Sequence, residues 1–225
     1  MTQKPSATAG QSLKKYKEKN TRKSFIVGIT GSTGSGKTTF AKSLKKELGN
    51  QAVLLSSDMY YKDQSRLPLG ERFKQNMDQP EAFDNQLLVS HLKKLASGKS
   101  IDVPVYDFTD HTRKKESRHL ETRPMIVVEG LLIFSKPELR SLFDFKIFLE
   151  VDADLRVCRR VLRDVAERRD GSVEAAVKQY LSSARPMDKI YVLPQKRYAD
   201  VVIDWSREDP GKIKELARKI LKASQ

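Results

Sequence analysis

Eight consecutive residues, Gly31-Ser32-Thr33-Gly34-Ser35-Gly36-Lys37-Thr38, follow the pattern G-x-x-x-x-G-K-[ST], and that pattern is built to hold phosphate. Glycines let successive backbone N–H groups turn inward around phosphate oxygens. Lys37 has the reach to touch the β- and γ-phosphates of a nucleoside triphosphate, Thr38 offers a hydroxyl to Mg²⁺, and Thr39 continues the same turn. This chemistry needs the loop between a strand and a helix, because the helix N-terminus adds its partial positive charge to the cradle. Phe25 to Ile29 (FIVGI) is a short apolar run rich in β-branched residues, and Thr39 to Leu48 has helical character, so the context is present. A Gly-rich turn that only joins strand to helix is the bland alternative, and the full match in context favours the phosphate site.

Two acids belong near such a cradle, because ligands of open α/β sheets sit beyond the carboxyl ends of the strands. Glu129 closes the apolar run Met125 to Val128 (MIVV), where it is placed to hold Mg²⁺ directly or through water. Asp58 follows Ala52 to Ser56 (AVLLS), where an ionised carboxylate could take the proton of an attacking hydroxyl. Both positions also suit plain capping or turn acids. A third feature is the stretch from Ala153 to Arg168. Leu155, Cys158, Leu162 and Val165 recur at helical spacing and define an expected buried face. Arg156, Arg160 and Arg163 fall on the other side with Arg159, and Arg168 and Arg169 follow. Such a run is usually a solvated face, but a phosphotransferase needs guanidinium groups that close over the γ-phosphoryl, so the stretch also reads as an arginine-rich lid.

The elements that must position these groups are legible as an alternation. Further strands are expected at Lys146 to Val151 and Ala199 to Ile203, and helices at Asn85 to Leu95, Val173 to Ala184 and Lys212 to Lys222. Strands apolar on both faces, alternating with helices, specify an α/β fold with a doubly wound parallel sheet of the P-loop NTPase type and helices on both faces. Ser100 to Phe108 instead alternates and carries Pro104, so it reads as an edge strand or part of a small β-hairpin flap. With 225 residues and 38% hydrophobic content, one domain over residues 24–225 is expected, preceded by a basic, disordered tail over residues 1–23. The formal charge of +14 predicts attraction to polyanions, nucleotides or nucleic acid, without choosing between them. No apolar run reaches membrane-spanning length and no secretory signal is visible, so a soluble cytoplasmic protein is the expectation. Cys158 is the only cysteine, which rules out an internal disulfide, and it is expected to pack as a core thiol.

Taken in order, the segments GSTGSGKTT, SDMYYKD, NMDQPEAFD, VPVYDFTDHTR, VVEGLLIF, FLEVDADLRVCRRVLRDVAERRD and QKRYADVVI resemble the uridine/cytidine kinase family of P-loop nucleoside kinases, from about Phe25 to Ile203. The resemblance implies transfer of the γ-phosphoryl of ATP (or GTP) to the 5′-hydroxyl of uridine or cytidine in pyrimidine salvage, with Mg²⁺. It makes Asp58 the catalytic base, assisted by Lys37, Arg163 and Arg168, and sets Thr38, Asp58 and Glu129 around the metal. Asp78 matches the carboxylate that binds both ribose hydroxyls; Tyr106, Phe108 and His111 match the flap on the pyrimidine; Arg160 and Gln179 match groups near the nucleoside. A homo-oligomer, often a tetramer, is implied as well. The chain departs from the family at Met77 and Gln79, which flank Asp78, at Glu167-Arg168-Arg169-Asp170, where E-R-G-R is usual, and at Asp204-Trp205-Ser206-Arg207, where P-R-G-G is usual.

Two competing readings follow from the same residues. The changes around Asp78 suit a related P-loop kinase for another small hydroxyl substrate. The positive charge suits a nucleic-acid-binding NTPase, against which the basic tail lacks interleaved aromatics and no nucleic-acid fold signature appears, so nucleic acid is disfavoured as a partner.

Overall fold

The computed structural model describes residues 22–167 and 172–224. It opens with β1 (Phe25–Gly31), buried at every position, which leads directly into α1 (Lys37–Leu48). β2 (Ala52–Ser56), α2 (Asn85–Ala96), an antiparallel pair β3 (Ile101–Asp107) and β4 (Thr112–Leu120), and β5 (Met125–Glu129) follow. β6 (Phe145–Glu150), α3 (Ala153–Ala166), α4 (Val173–Gln179), β7 (Val201–Asp204) and α5 (Pro210–Ala223) complete the order.

Five strands lie side by side as β2-β5-β1-β6-β7, and every neighbouring pair is parallel. Parallel neighbours need crossover connections, and the helices that supply them cover both faces. On one face Phe25, Val27 and Ile29 pack with Phe40 and Leu44 of α1 and Ile213, Leu216 and Ile220 of α5. On the other, Ile26 packs with Leu88, Leu92 and Leu95 of α2 and with Phe134 and Phe143. Gly28 leaves room for those two aromatic rings, since a Cβ there would stand 2.6 Å from Phe134 and 2.7 Å from Phe143. Asp84 caps α2 by accepting from the Leu87 N–H at 3.1 Å, and Asp209 caps α5 at the Gly211 N–H at 2.8 Å. Each such cap contributes about 1 kcal/mol. The chain leaves β1 for the far edge through β2, then returns across it from β5 to β6, so the sheet's switch point lies beyond the ends of β1, β5 and β6.

The structure refines the sequence expectations in three places and departs from them in a fourth. β4 (TRKKESRHL) has no apolar alternation; it is exposed from Lys114 to His119 and forms because β3 pairs with it, with an irregularity between Pro104 and Tyr106. The helix expected to Ala184 is α-helical to Gln179 and then continues in wider turns through Tyr180–Ala184. Arg22 and Lys23, assigned to the tail, are already attached: Arg22 Nη1 donates to the Leu142 carbonyl at 2.6 Å and the Lys23 N–H to that of Ala96 at 2.9 Å. Residues 1–21 lie outside the described residues.

The fourth is the departure: of the expected buried face of α3, Leu155 packs on the core, but Cys158 and Leu162 face outward. Arg156, Arg160 and Asp164 are its buried residues, while Leu162 is 72% exposed and Cys158 is exposed rather than a core thiol. A charged face is buried here because it is neutralised from elsewhere in the chain. Arg156 donates to Asp188 at 3.2 Å and to the Val151 carbonyl at 3.0 Å, and Arg160 donates to Asp164, Thr33 and Gln179. Buried charge persists only when paired and hydrogen-bonded in this way. No helix among the described residues is long and apolar enough to cross a membrane.

Candidate active site

The loop from Gly31 to Gly36 wraps the N-terminus of α1. Gly34 (φ 75°) and Gly36 (φ 81°) are left-handed, and a Cβ on Gly34 would stand 2.1 Å from the Arg156 carbonyl oxygen, so glycine alone lets α3 close on the loop. α1 has no acid in its first turn to compete for its N–H groups; Ser32, Thr33 and Ser35 are buried, and Thr38 and Thr39 are exposed. The Ser35 hydroxyl has no hydrogen-bond partner among the described residues. Lys37 Nζ donates to the Ser32 carbonyl at 3.1 Å. Burial pushes the Lys37 pKa down, and the charges of Glu129 and Asp58 oppose that shift.

Glu129, at the end of β5, lies in register with Ile29 and Ser56 and is buried. Its pKa is pushed up to about 7, first by burial and then by the charge of Asp58, against hydrogen bonds from Ser56 and Thr38 and the charge of Lys37. Asp58 lies on the helical turn Ser57–Tyr60, and its N–H donates to the Ser56 hydroxyl at 3.3 Å. A buried carboxylate whose proton affinity is raised by a second carboxylate nearby, beside a hydroxyl, fits a divalent cation. Among the described residues no group of three or more His, Cys, Asp or Glu converges, so such a cation would take its remaining ligands from water and phosphate, as Mg²⁺ does.

Beyond this donor side opens a cavity of about 560 Å³. Thr33, Lys37 and Asp58 bound it at one end, Arg160, Arg163 and Asp164 on the lid side, and Tyr61, Phe73, Met77, Asp78, Phe108, His111 and Gln179 at the other end. Asp164, 1% exposed, holds both lid arginines: Arg160 Nε at 3.1 Å, and Arg163 Nε and Nη2 at 2.8 and 2.6 Å. Arg160 also donates to the Thr33 hydroxyl at 3.0 Å and to Gln179 at 2.6 Å, tying α3 to the phosphate loop and to α4. Asp78 receives Gln179 Nε2 at 3.4 Å and the Ser183 hydroxyl at 3.5 Å, and Arg160 Nη1 stands 3.7 Å away.

Phe108 and His111 project from the β3–β4 turn. Asp107 accepts from the Thr109 N–H and hydroxyl, Asp110 from those of Thr112, and the Gln64 N–H donates to the His111 carbonyl. These bonds hold His111 at φ 58°, a conformation costly for a side-chain-bearing residue and concentrated at ligand sites. Phe73 meets the His111 ring edge-on at 5.0 Å. Tyr106 does not join them on the cavity wall. It is buried behind, against Tyr61 at 5.3 Å and Phe108 at 5.1 Å, with its hydroxyl unpartnered among the described residues. Arg168 and Arg169 lie outside the described residues.

Residues 26–209 match the model of the phosphoribulokinase / uridine kinase family. The chain belongs to that family. It is 45% identical over 183 residues to a uridine kinase of Clostridium botulinum (strain Okra / Type B1), covering 81% of this chain and 88% of that protein. It is 42% identical over 199 residues to a uridine kinase of Ligilactobacillus salivarius, covering 88% and 93%. D-glycerate 3-kinase from Cryptococcus neoformans shares the fold, with TM-score 0.64, 15% identity and coverage of 89% and 94%. Phosphoribulokinase from Rhodobacter spheroides shares it with TM-score 0.58, 17% identity and coverage of 84% and 74%.

Within this family fold, the sequence reading overlooked several wall residues. Phe73 sits in a charge-rich segment without periodicity, 49% exposed, and nothing in its spacing marks it. Tyr61 is visible only as part of a motif centred on Asp58. Asp164 looks like a surface partner for the arginines until the arginine face of α3 is known to be buried. Its spacing from Arg160, i to i+4, is the one available signal.

Proposed function

We propose that this kinase transfers the γ-phosphoryl of ATP, or GTP, to the 5′-hydroxyl of uridine or cytidine. One observation carries the reading: Asp58 stands where the phosphate loop meets a cavity whose far end gathers a buried carboxylate, Asp78, with an aromatic and a histidine, Phe108 and His111. The 42–45% identity to uridine kinases over most of the chain supports it.

The family resemblance supplies the roles, and the positions of the described residues are in keeping with them. Backbone N–H groups of the loop and Lys37 cradle the donor phosphates, and Thr38 and Glu129, with Asp58 beside them, would hold Mg²⁺. When bound, that ion supplies charge neutralisation on the phosphate oxygens. Asp58 accepts the 5′-hydroxyl proton as that oxygen bonds to the γ-phosphorus; the bond to the β-phosphate oxygen breaks, and the nucleoside diphosphate leaves. Arg160 and Arg163, with Arg168, offset the charge that develops on the transferred group. Asp78 accepts from the ribose hydroxyls beside Gln179, Phe108 stacks on the pyrimidine, His111 exchanges a hydrogen bond with it, and Tyr106 backs both rings. The family resemblance supports a homo-oligomer, and the exposed apolar side chains Leu162, Val173, Val177 and Leu181 are available for such a contact.

The test is turnover with Mg²⁺-ATP against uridine, cytidine, adenosine and non-nucleoside alcohols such as glycerate, with the product identified. The expected result is UMP and CMP, with little product from the others. Turnover confined to the non-nucleoside alcohols would replace this reading with that of another kinase of the family, in keeping with Met77 and Gln79 beside Asp78.

A further inference from the structure

Arg113 is the second residue of β4, two residues after His111, yet its side chain leaves the hairpin. Nε donates to the Tyr61 carbonyl at 2.7 Å, Nη2 to the Tyr60 carbonyl at 3.2 Å, and Nη1 to Asp84 Oδ2 at 3.2 Å. Its own N–H donates to Asp63 Oδ1 at 3.0 Å. The side chain is 21% exposed, so these bonds are partly shielded from water.

Each partner belongs to a segment that matters to the reaction. Tyr60 ends the helical turn that carries Asp58, and its ring is pinned from below by His91, whose Nδ1 lies 2.9 Å from the Tyr60 hydroxyl. Tyr61 is itself a cavity wall. Asp84 caps α2 with its other oxygen, and its N–H donates to the Tyr60 carbonyl at 2.8 Å. The guanidinium therefore joins the flap of Phe108 and His111 to the turn of Asp58 and to the end of α2. Two of its three side-chain bonds go to main-chain carbonyls, which transmit position in a way that a flexible ion pair does not. A lysine has no planar fork to reach two carbonyls and a carboxylate together.

We propose that Arg113 is a positioning residue that fixes the register between the acceptor-binding flap and the general base, so that acceptor binding and proton removal depend on one side chain that touches neither. The inference rests on the acceptor reading above. Failure of that reading shows in the wild-type protein, whereas failure of this one shows only in the variants, assayed with whichever acceptor the wild type uses.

The experiment compares wild type, R113K and R113A in steady-state kinetics for acceptor and ATP, with thermal unfolding alongside. The expected result is a fall on the order of 10² in acceptor kcat/KM, with KM raised and kcat lowered, while the KM for ATP stays within about twofold, the penalty of roughly 1 Å of misplacement. Added guanidinium ion should restore part of the lost rate in R113A where ammonium does not. If R113A cannot be purified folded, R113K carries the same comparison. Acceptor and ATP constants that move together, or a lowered Tm with unchanged kinetic constants, would reduce Arg113 to a structural residue and overturn the proposal.

Discussion

The proposed donor and acceptor ends of the cavity are built from different materials. At the donor end, the chain's path does the work: left-handed Gly34 and Gly36, the unopposed N–H groups of α1, and an α3 carbonyl so close that no side chain fits at residue 34. At the acceptor end, side chains do it. Asp78, Gln179, Arg160 and Ser183 form one polar group, and Phe73, Phe108 and His111 one aromatic group, each drawn from segments far apart in the chain. A site made of backbone is fixed by its glycines and indifferent to most substitutions. One made of side chains changes its ligand when they change, and Met77 and Gln79, beside Asp78, are among the places where this chain departs from the family pattern.

The comparison is broken most severely where the two ends meet. Asp58→Asn keeps the shape and removes the proposed base, so turnover should fall by about 10² to 10⁴ while ATP binding, followed by isothermal calorimetry, is retained. Unchanged turnover would remove Asp58 from the role. On the donor side, Gly34→Ala should cost about 1–3 kcal/mol of strain at its positive φ, besides the clash with Arg156. It should therefore lower Tm and weaken ATP binding together, and a variant with normal ATP affinity would show that the loop is less constrained than its geometry implies. On the acceptor side, His111→Ala should alter the ratio of uridine to cytidine turnover and leave the KM for ATP nearly unchanged. Equal losses for every acceptor would argue against base reading. The smallest effect is expected at Cys158→Ala, within about 0.5 kcal/mol of the parent stability, as for other exposed sites. The native thiol should react with a small disulfide reagent without prior unfolding; protection would return α3 to the orientation its apolar spacing predicts.

That last case shows where sequence is a good guide and where it is not. β1, β2, β5 and β6 are legible because a buried parallel strand needs apolar residues on both faces, and little else in the chain looks like that. The phosphate loop is legible because its spacing is dictated by a ligand. α3 misleads because the usual rule, apolar in and charged out, assumes that the chain brings no opposite charge to the arginines. Asp188 does so for Arg156, and Asp78 and Asp164 for Arg160, through contacts that spacing along one helix mostly conceals. The expected hairpin flap forms, but its second strand β4 has no local signal for a related reason: its polar residues are stabilised by pairing with β3, not by a face of their own. Phe73 carries no local signal, since only the fold brings it to His111.

The most direct test of the account is the ratio of kcat/KM for uridine to that for 2′-deoxyuridine in the unmodified enzyme. In the proposed pocket Asp78, buried on the cavity wall, accepts from the ribose hydroxyls beside Gln179 and Ser183, so 2′-deoxyuridine forfeits a charge-assisted hydrogen bond and the ratio should be at least about 10². A ratio near one would contradict the claim that the acceptor end is built around a ribose.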